Sequence, residues 1–153
     1  MDLSVIVVSY NTRQLLDECL SSLYAADAPD GGFEVIVVDN ASVDDSAAMV
    51  TAEYPQATLI VSDVNLGFSA ANNRGTAVAT GEYLLFLNSD TVVGRDALTK
   101  PLAFMQENPR VGALTVRLVY PNGERDPDNH RGFPTPSNAL FHFTGLSRLF
   151  PNS

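Results

Sequence analysis

The chain has 153 residues, 45% of them hydrophobic, and no low-complexity stretch, which suits one domain with a real core and is too short to suggest two. Its formal charge of −9 argues against a nucleic-acid partner, whose backbone calls for clustered Lys and Arg, and admits a small anionic ligand only where a cation bridges it. No apolar run approaches the ~20 residues that cross a bilayer, and the N-terminus carries no basic region or small-residue cleavage site, so a soluble, cytoplasmic protein is expected.

In chain order, residues 3–9 form a β-rich run. Residues 12–26 follow with apolar side chains at 15, 16, 19, 20 and 23, the stripe of an amphipathic helix that Asn11 or Thr12 can cap. The single cysteine, Cys19, lies on that stripe without a partner for a disulfide or a metal site and is read as core. Residues 33–38 make the second strand. Ser42, with Asp45 three residues on, resembles a capping box opening a helix that runs to about Tyr54, before Pro55. Residues 57–62 are the third strand, residues 67–79 a helix rich in small residues ended by Gly81, and residues 82–87 the fourth strand. Residues 95–107 read as another helix, in which Pro101 predicts a kink or a late start near Thr99, because proline beyond the first turn costs ~3 kcal/mol. Residues 111–120 are expected as a fifth strand, with a turn at Pro121-Asn122-Gly123; from Arg125 onward the chain is rich in Pro, Asn and Arg with little periodicity.

Strands alternating with helices predict an α/β fold with a mostly parallel sheet, doubly wound, because parallel strands need right-handed crossovers. In such sheets the ligand sits beyond the carboxyl ends of the strands. Ser9-Tyr10-Asn11, Asp39-Asn40, Asn65 and Asn88-Ser89-Asp90 all fall at those ends. The loop after the first strand, Ser-Tyr-Asn-Thr-Arg, has neither a Gly-x-Gly-x-x-Gly nor a Gly-Lys-Ser/Thr cradle, which sets aside a dinucleotide-binding domain and a P-loop NTPase. A diphosphate bound here would need a metal, and Asp90 is a hard-oxygen ligand suited to magnesium or manganese. Asp39 is then free for another task, and a carboxylate, which only accepts, can pair with the N–H of a pyrimidine-type base. Each residue also has a plain structural use: Asp39 and Asp90 as capping or loop carboxylates, Asn65, Asn72 and Asn73 as turn residues, Tyr10 as a lid on a helix end.

Four motifs then align with one family. Val-Ser-Tyr-Asn (8–11), Val-Val-Asp-Asn-Ala-Ser (37–42), Asn-Leu-Gly-Phe-Ser-Ala-Ala-Asn-Asn-Arg-Gly (65–75) and Leu-Asn-Ser-Asp-Thr (87–91) resemble the N-terminal part of a family 2 glycosyltransferase with the GT-A fold. The resemblance is greatest to the branch of bacterial rhamnosyltransferases and related cell-envelope enzymes, and it covers residues 3–120 best. It implies that Asp39 holds the nucleobase of a UDP- or dTDP-linked sugar donor, that Ser9, Tyr10 and Asn11 frame base and ribose with Asn40 beside them, and that Asn65 and Gly67 line the donor pocket. Asn72 and Asn73 stand where many members carry Arg-Asn, with Arg74 as a substitute cation, and Ser89 belongs to the same donor site. Asn88-Ser89-Asp90 stands for the family's Asp-x-Asp motif, with Asp90 the main ligand of a magnesium or manganese ion and Asn88 a weaker one.

The implied reaction is sugar transfer to a saccharide or lipid-linked acceptor hydroxyl, with inversion, in polysaccharide or glycolipid synthesis. It needs a metal, an aligned donor and acceptor, and a general base. In the family the base lies in a later segment, which this chain does not display; Asp126 and Asp128 carry nothing that marks them as one. The expectation is therefore a single domain, with residues 1–124 a nucleotide-sugar-binding core and 125–153 a tail leading to a missing acceptor part, inactive by itself. His130 and His142 are read as surface or packing residues, and Arg131 and Arg148 as solvated. The apolar stretch 139–150 leaves open a helix against the missing half, a homodimer contact, or a peripheral element at the inner face of the membrane. A non-catalytic nucleotide or nucleotide-sugar binding module remains the alternative, and a nucleotidyltransferase ranks last because the glycine-rich loop after the first strand is absent.

Overall fold

A computed structural model describes residues 1–120 and 122–124, and the chain divides into the units Met1–Leu114 and Thr115–Ser153. In the first unit strands and helices alternate: β1 (Leu3–Ser9), α1 (Arg13–Ala25), β2 (Phe33–Asp39), α2 (Ser46–Glu53), β3 (Thr58–Val61), α3 (Phe68–Thr76), β4 (Tyr83–Asn88) and α4 (Thr99–Glu107). The four strands form one parallel sheet in the order β3-β2-β1-β4, with Val5 opposite both Val35 and Leu85. This is the doubly wound parallel arrangement that the alternation predicts. Among the described residues no helix is long and apolar enough to cross a membrane.

The two faces of the sheet follow from the period-2 alternation of its strands. Leu3, Val5 and Val7 of β1 and Val35 and Val37 of β2 point to one face, where they meet Leu16, Cys19, Leu20 and Leu23 of α1, Met49 and Val50 of α2, and Leu98. Ile6, Ile36 and Val38 point to the other, where Ala71 of α3 covers them. The small residues of α3 let it approach closely: a Cβ on Gly75 would lie 2.5 Å from Ile6 Cγ2. Gly81 has an equally direct use, since its Cβ would lie 2.5 Å from the Ser4 backbone nitrogen. It therefore does not end α3, which stops five residues earlier at Thr76.

At the amino end of the sheet, Glu34 joins three segments. Its Oε1 accepts from Ser4 Oγ, Thr80 N and Thr80 Oγ1, each at 2.7 Å. Burial raises the Glu34 carboxyl, but these hydrogen bonds with one from the Gly81 amide outweigh it and hold the pKa below its ordinary value.

Two expectations need correction. The Ser42/Asp45 capping box does not form: α2 begins at Ser46, and Asp44 receives its first amide, accepting from Ser46 N at 3.2 Å and from Ser46 Oγ at 2.5 Å. The late start near Thr99 that Pro101 predicts is observed: the helix begins at Thr99, so Pro101 is its third residue, inside the first turn where a missing N–H costs nothing. Residues 111–118 carry no strand, because β-propensity is a weak preference that tertiary context overrides. β4 itself alternates: Tyr83, Leu85 and Leu87 pack on the core, while Leu84 and Phe86 stay 40% and 52% exposed.

In the second unit the expected turn is present at Asn122 and Gly123, where Gly123 has φ 83° and its N–H donates to Tyr120 O at 2.8 Å. Asp126, Asp128, His130, Arg131, His142, Arg148 and the apolar stretch 139–150 lie outside the described residues.

Candidate functional site

Parallel strands end on the same side of a sheet, so the polar residues that follow β1, β2 and β4 meet there. They surround a cavity of about 340 Å³ lined by Tyr10, Asn40, Asn65, Asn88, Ser89 and Asp90. Val8, Thr12, Leu15 and Phe68 complete the wall. Of the residues named from the sequence, Ser9 and Asp39 lie beneath this rim, opposite each other in the β1/β2 register and buried.

Asp39 is 2% exposed. Its Oδ2 accepts from Ser42 N at 3.1 Å, whereas Oδ1 is buried with no hydrogen-bond partner among the described residues. Leaving one acceptor of a buried carboxylate unmatched is costly, on the order of 1–3 kcal/mol or more for a charged group, and a ligand N–H would relieve it.

Asn40 and Asn65 serve the loop as well as the cavity. Asn40 Nδ2 donates to Asn65 Oδ1 at 2.9 Å, Leu66 N donates to Asn40 Oδ1 at 2.9 Å, and Gly67 N donates to Asn65 Oδ1 at 2.9 Å. Together they hold the turn that leads into α3. Gly67 has φ 76° and ψ 166°, a conformation that favours glycine, and nothing stands within 4 Å of where its Cβ would be. Gly67 thus leads into α3 next to Phe68 of the cavity wall, and the unpaired amides of a helix's first turn suit an anion.

Asn11 is a brace. With φ 54° it takes Ser42 Oγ on its backbone N–H at 2.9 Å, and its Oδ1 accepts from Val43 N at 2.8 Å. Asp44 reinforces the same junction by accepting from Arg13 N at 2.8 Å. Although burial raises the Asp44 carboxyl, its hydrogen bonds from Ser46 and Arg13 leave its pKa lowered. The start of α1 is thus capped from the β2–α2 loop, and neither Asn11 nor Thr12 caps it with a side chain. Thr12 Oγ1 lies 2.9 Å from Ser9 Oγ and 3.0 Å from Ser89 Oγ, joining the ends of β1 and β4.

The Asn88-Ser89-Asp90 turn rests on α1. Cys19 Sγ donates to Asn88 O at 3.6 Å, and burial pushes its thiol up to about 11. Asp90 and Asn88 are exposed on the cavity and give its wall, among the described residues, one carboxylate with an amide oxygen near it. No group of three His, Cys, Asp or Glu able to hold a metal occurs among the described residues. This donor set fits a magnesium or manganese ion that draws its remaining ligands from phosphate oxygens and water, as such ions do.

The three residues offered for the diphosphate sit elsewhere. Asn72 is buried and donates from Nδ2 to Phe68 O at 3.0 Å, Arg74 Nη1 donates to Ser62 Oγ at 3.0 Å beyond β3, and Asn73 is exposed on α3; none lines the cavity. Four wall residues escaped sequence reading. Leu15 was counted in the apolar stripe of α1, yet it is exposed and faces the cavity. Phe68 stood inside a quoted motif without a role; its place just after the Gly67 turn was the signal that could have marked it.

With this geometry in view, residues 4–153 match the family described as Glycosyl transferase family 2. The chain belongs to glycosyl transferase family 2. Among its relatives, a poly(ribitol-phosphate) beta-glucosyltransferase of Bacillus spizizenii is 35% identical over 112 residues, 71% of this chain and 18% of that protein. The poly(ribitol-phosphate) beta-N-acetylglucosaminyltransferase TarS of Staphylococcus aureus is 32% identical over 99% of this chain and 27% of its own length. The crystal structure of S. aureus TarS with UDP-GlcNAc superposes with a TM-score of 0.63 at 35% identity, covering 71% of this chain and 32% of that one. A mannosyltransferase of Pyrobaculum calidifontis, solved with GDP-Man and Mn2+, gives a TM-score of 0.61 at 30% identity over 67% of this chain and 32% of that one. The chain thus spans about a fifth to a third of the length of these relatives.

Proposed function

We propose that this family 2 chain is the donor-binding portion of an inverting, metal-dependent glycosyltransferase that builds cell-envelope polysaccharide or glycolipid. The observation that carries the reading is Asp39: a carboxylate buried at a strand end with one oxygen unmatched asks for a ligand N–H, and the imide N–H of uracil or thymine provides one. Tyr10 and Phe68, both exposed aromatic rings on the cavity, offer faces for a planar base or a sugar ring. The amides that open α3 and the rim at Ser89 receive the diphosphate. Asp90, with Asn88 beside it, would hold the divalent ion. When bound, that ion supplies charge neutralisation at the departing diphosphate.

The reading includes that these 153 residues bind the donor without transferring it. Asp90 is committed to the metal, and among the described residues no second carboxylate lines the cavity to take the acceptor's proton. Transfer then belongs to a longer protein that acts at the cytoplasmic side of the membrane. The titrated nucleotides distinguish the finer readings: the TarS likeness favours uridine, a rhamnosyltransferase-like branch would bring dTDP, and the mannosyltransferase likeness would bring GDP.

The test is calorimetric titration of the chain with UDP, dTDP and GDP, each with and without Mn2+, beside Asp90→Ala. Manganese-dependent binding of a pyrimidine nucleotide that the variant loses supports the reading. A folded chain that binds none of the three, or binds with no regard to metal, overturns it.

A further inference from the structure

The hydroxyls of Ser9, Thr12 and Ser89 form a chain across the floor of the cavity, and its chemistry constrains where its protons go. Each hydroxyl carries one proton and can accept two hydrogen bonds. Ser9 is 0% exposed, and among the described residues its Oγ meets only Thr12 Oγ1, at 2.9 Å. Were Thr12 the donor in that pair, the proton of Ser9 would be buried with nothing to receive it. Ser9 therefore donates to Thr12. The second link, Thr12 to Ser89 at 3.0 Å, uses one more proton, from either side. Whichever of the two oxygens donates there, the other keeps a proton that the chain does not consume. Both Thr12 and Ser89 stand in the cavity wall, next to Asp90.

The geometry points to Thr12 as the residue that leaves this stretch of wall one unspent hydrogen-bond donor, aimed at an anionic oxygen of the diphosphate. An unconstrained hydroxyl could equally accept, and beside the Asp90 carboxylate an acceptor would repel a phosphate oxygen. Fixing the direction from the buried Ser9 guarantees a spare proton here in advance of binding. Thr12 is free for this task because its side chain does not cap α1; Asp44 serves the helix start instead. The inference rests on the nucleotide-sugar reading of the site and adds a positioning residue to it.

Thr12→Val keeps the shape and deletes the hydroxyl. The full chain, titrated with UDP and with uridine in the presence of Mn2+, should lose about tenfold in UDP affinity, within the range of a hydrogen bond to a charged group, while uridine binding stays unchanged. Thr12→Ser should restore UDP binding to near the parent value. Thermal melting without ligand reads the direction: Thr12→Val strands the buried Ser9 proton and should melt below Ser9→Ala, which removes that proton with its oxygen. Equal losses for UDP and uridine, unchanged UDP affinity, or failure of Thr12→Ser to restore it would overturn the role of Thr12. A Ser9→Ala protein that melts below Thr12→Val overturns the direction of the chain. If the parent protein binds neither uridine nor UDP, the donor-site reading falls, and the melting order still decides the hydrogen-bond chain.

Discussion

Replacing Asp39 by Asn should leave stability nearly level and weaken binding. The substitution is isosteric, so the packing of a side chain that is 2% exposed is preserved. The amide oxygen can keep the bond from Ser42 N, now 3.1 Å long, while the NH2 group takes the position of the unmatched Oδ1. In the free protein this removes a buried charge but leaves the NH2 protons without an acceptor among the described residues, so the two effects oppose each other and the unfolding free energy should change by less than about 2 kcal/mol. In the nucleotide complex the same change sets an N–H against the N–H of the base. Loss of a hydrogen bond to a charged group is worth about 1.5–3 kcal/mol, which predicts Kd values for uridine and UDP raised roughly 10- to 100-fold. Urea unfolding of the free proteins and calorimetry with uridine measure the two effects separately. An Asp39→Asn protein that is destabilised by more than about 2 kcal/mol yet binds uridine as before would refute the reasoning, because Asp39 would then be a structural carboxylate.

Other predictions concern the frame around the site. Glu34 has a folded pKa below its ordinary 4.5, so its contribution is fully present above that value and fades as the pH falls through the lower folded one; the urea midpoint of Glu34→Gln, followed from about pH 6 to about pH 3, should fall less steeply than that of the parent. Gly75→Ala forces a methyl to within 2.5 Å of Ile6 Cγ2 in a closed core, and chemical denaturation should show a loss of about 1–3 kcal/mol; an unchanged midpoint would mean that α3 can lift off the sheet at no cost. Cys19, buried with its thiol pushed up to about 11, should react with iodoacetamide at about pH 8 far more slowly in the native chain than in urea, and fast native labelling would contradict its place beneath Asn88.

Much of the fold was legible because its signals are local. The apolar runs of β1 and β2 and the stripe at 16, 19, 20 and 23 of α1 repeat with the periods of strand and helix, and the structure places them there. The misreadings arose where a neighbour distant in sequence decides. Residues 111–118 have strand composition and no ladder. Leu84 and Phe86 belong to an unbroken apolar run, yet they lie exposed because α3 covers only the β1–β2 side of that face among the described residues. The capping box failed because Asp44, an inner position of the motif, meets both Ser46 and Arg13 from a loop whose course Asn11 sets.

The sequence by itself determined the alternation of strands and helices, the parallel sheet, and the placing of Tyr10, Asn40, Asn65, Ser89 and Asp90 at one edge, since a strand's end and its polar continuation are read in the same few residues. Only the tertiary structure decided what those groups do for one another. It tied Arg74 to Ser62 and Asn72 to its own helix, left one oxygen of Asp39 unmatched, and brought Thr12 against Ser89 across 77 positions of chain. Hydrogen-bond satisfaction in a buried site depends on which oxygen lies within about 3 Å of which proton donor, and in this molecule the sheet order sets that distance.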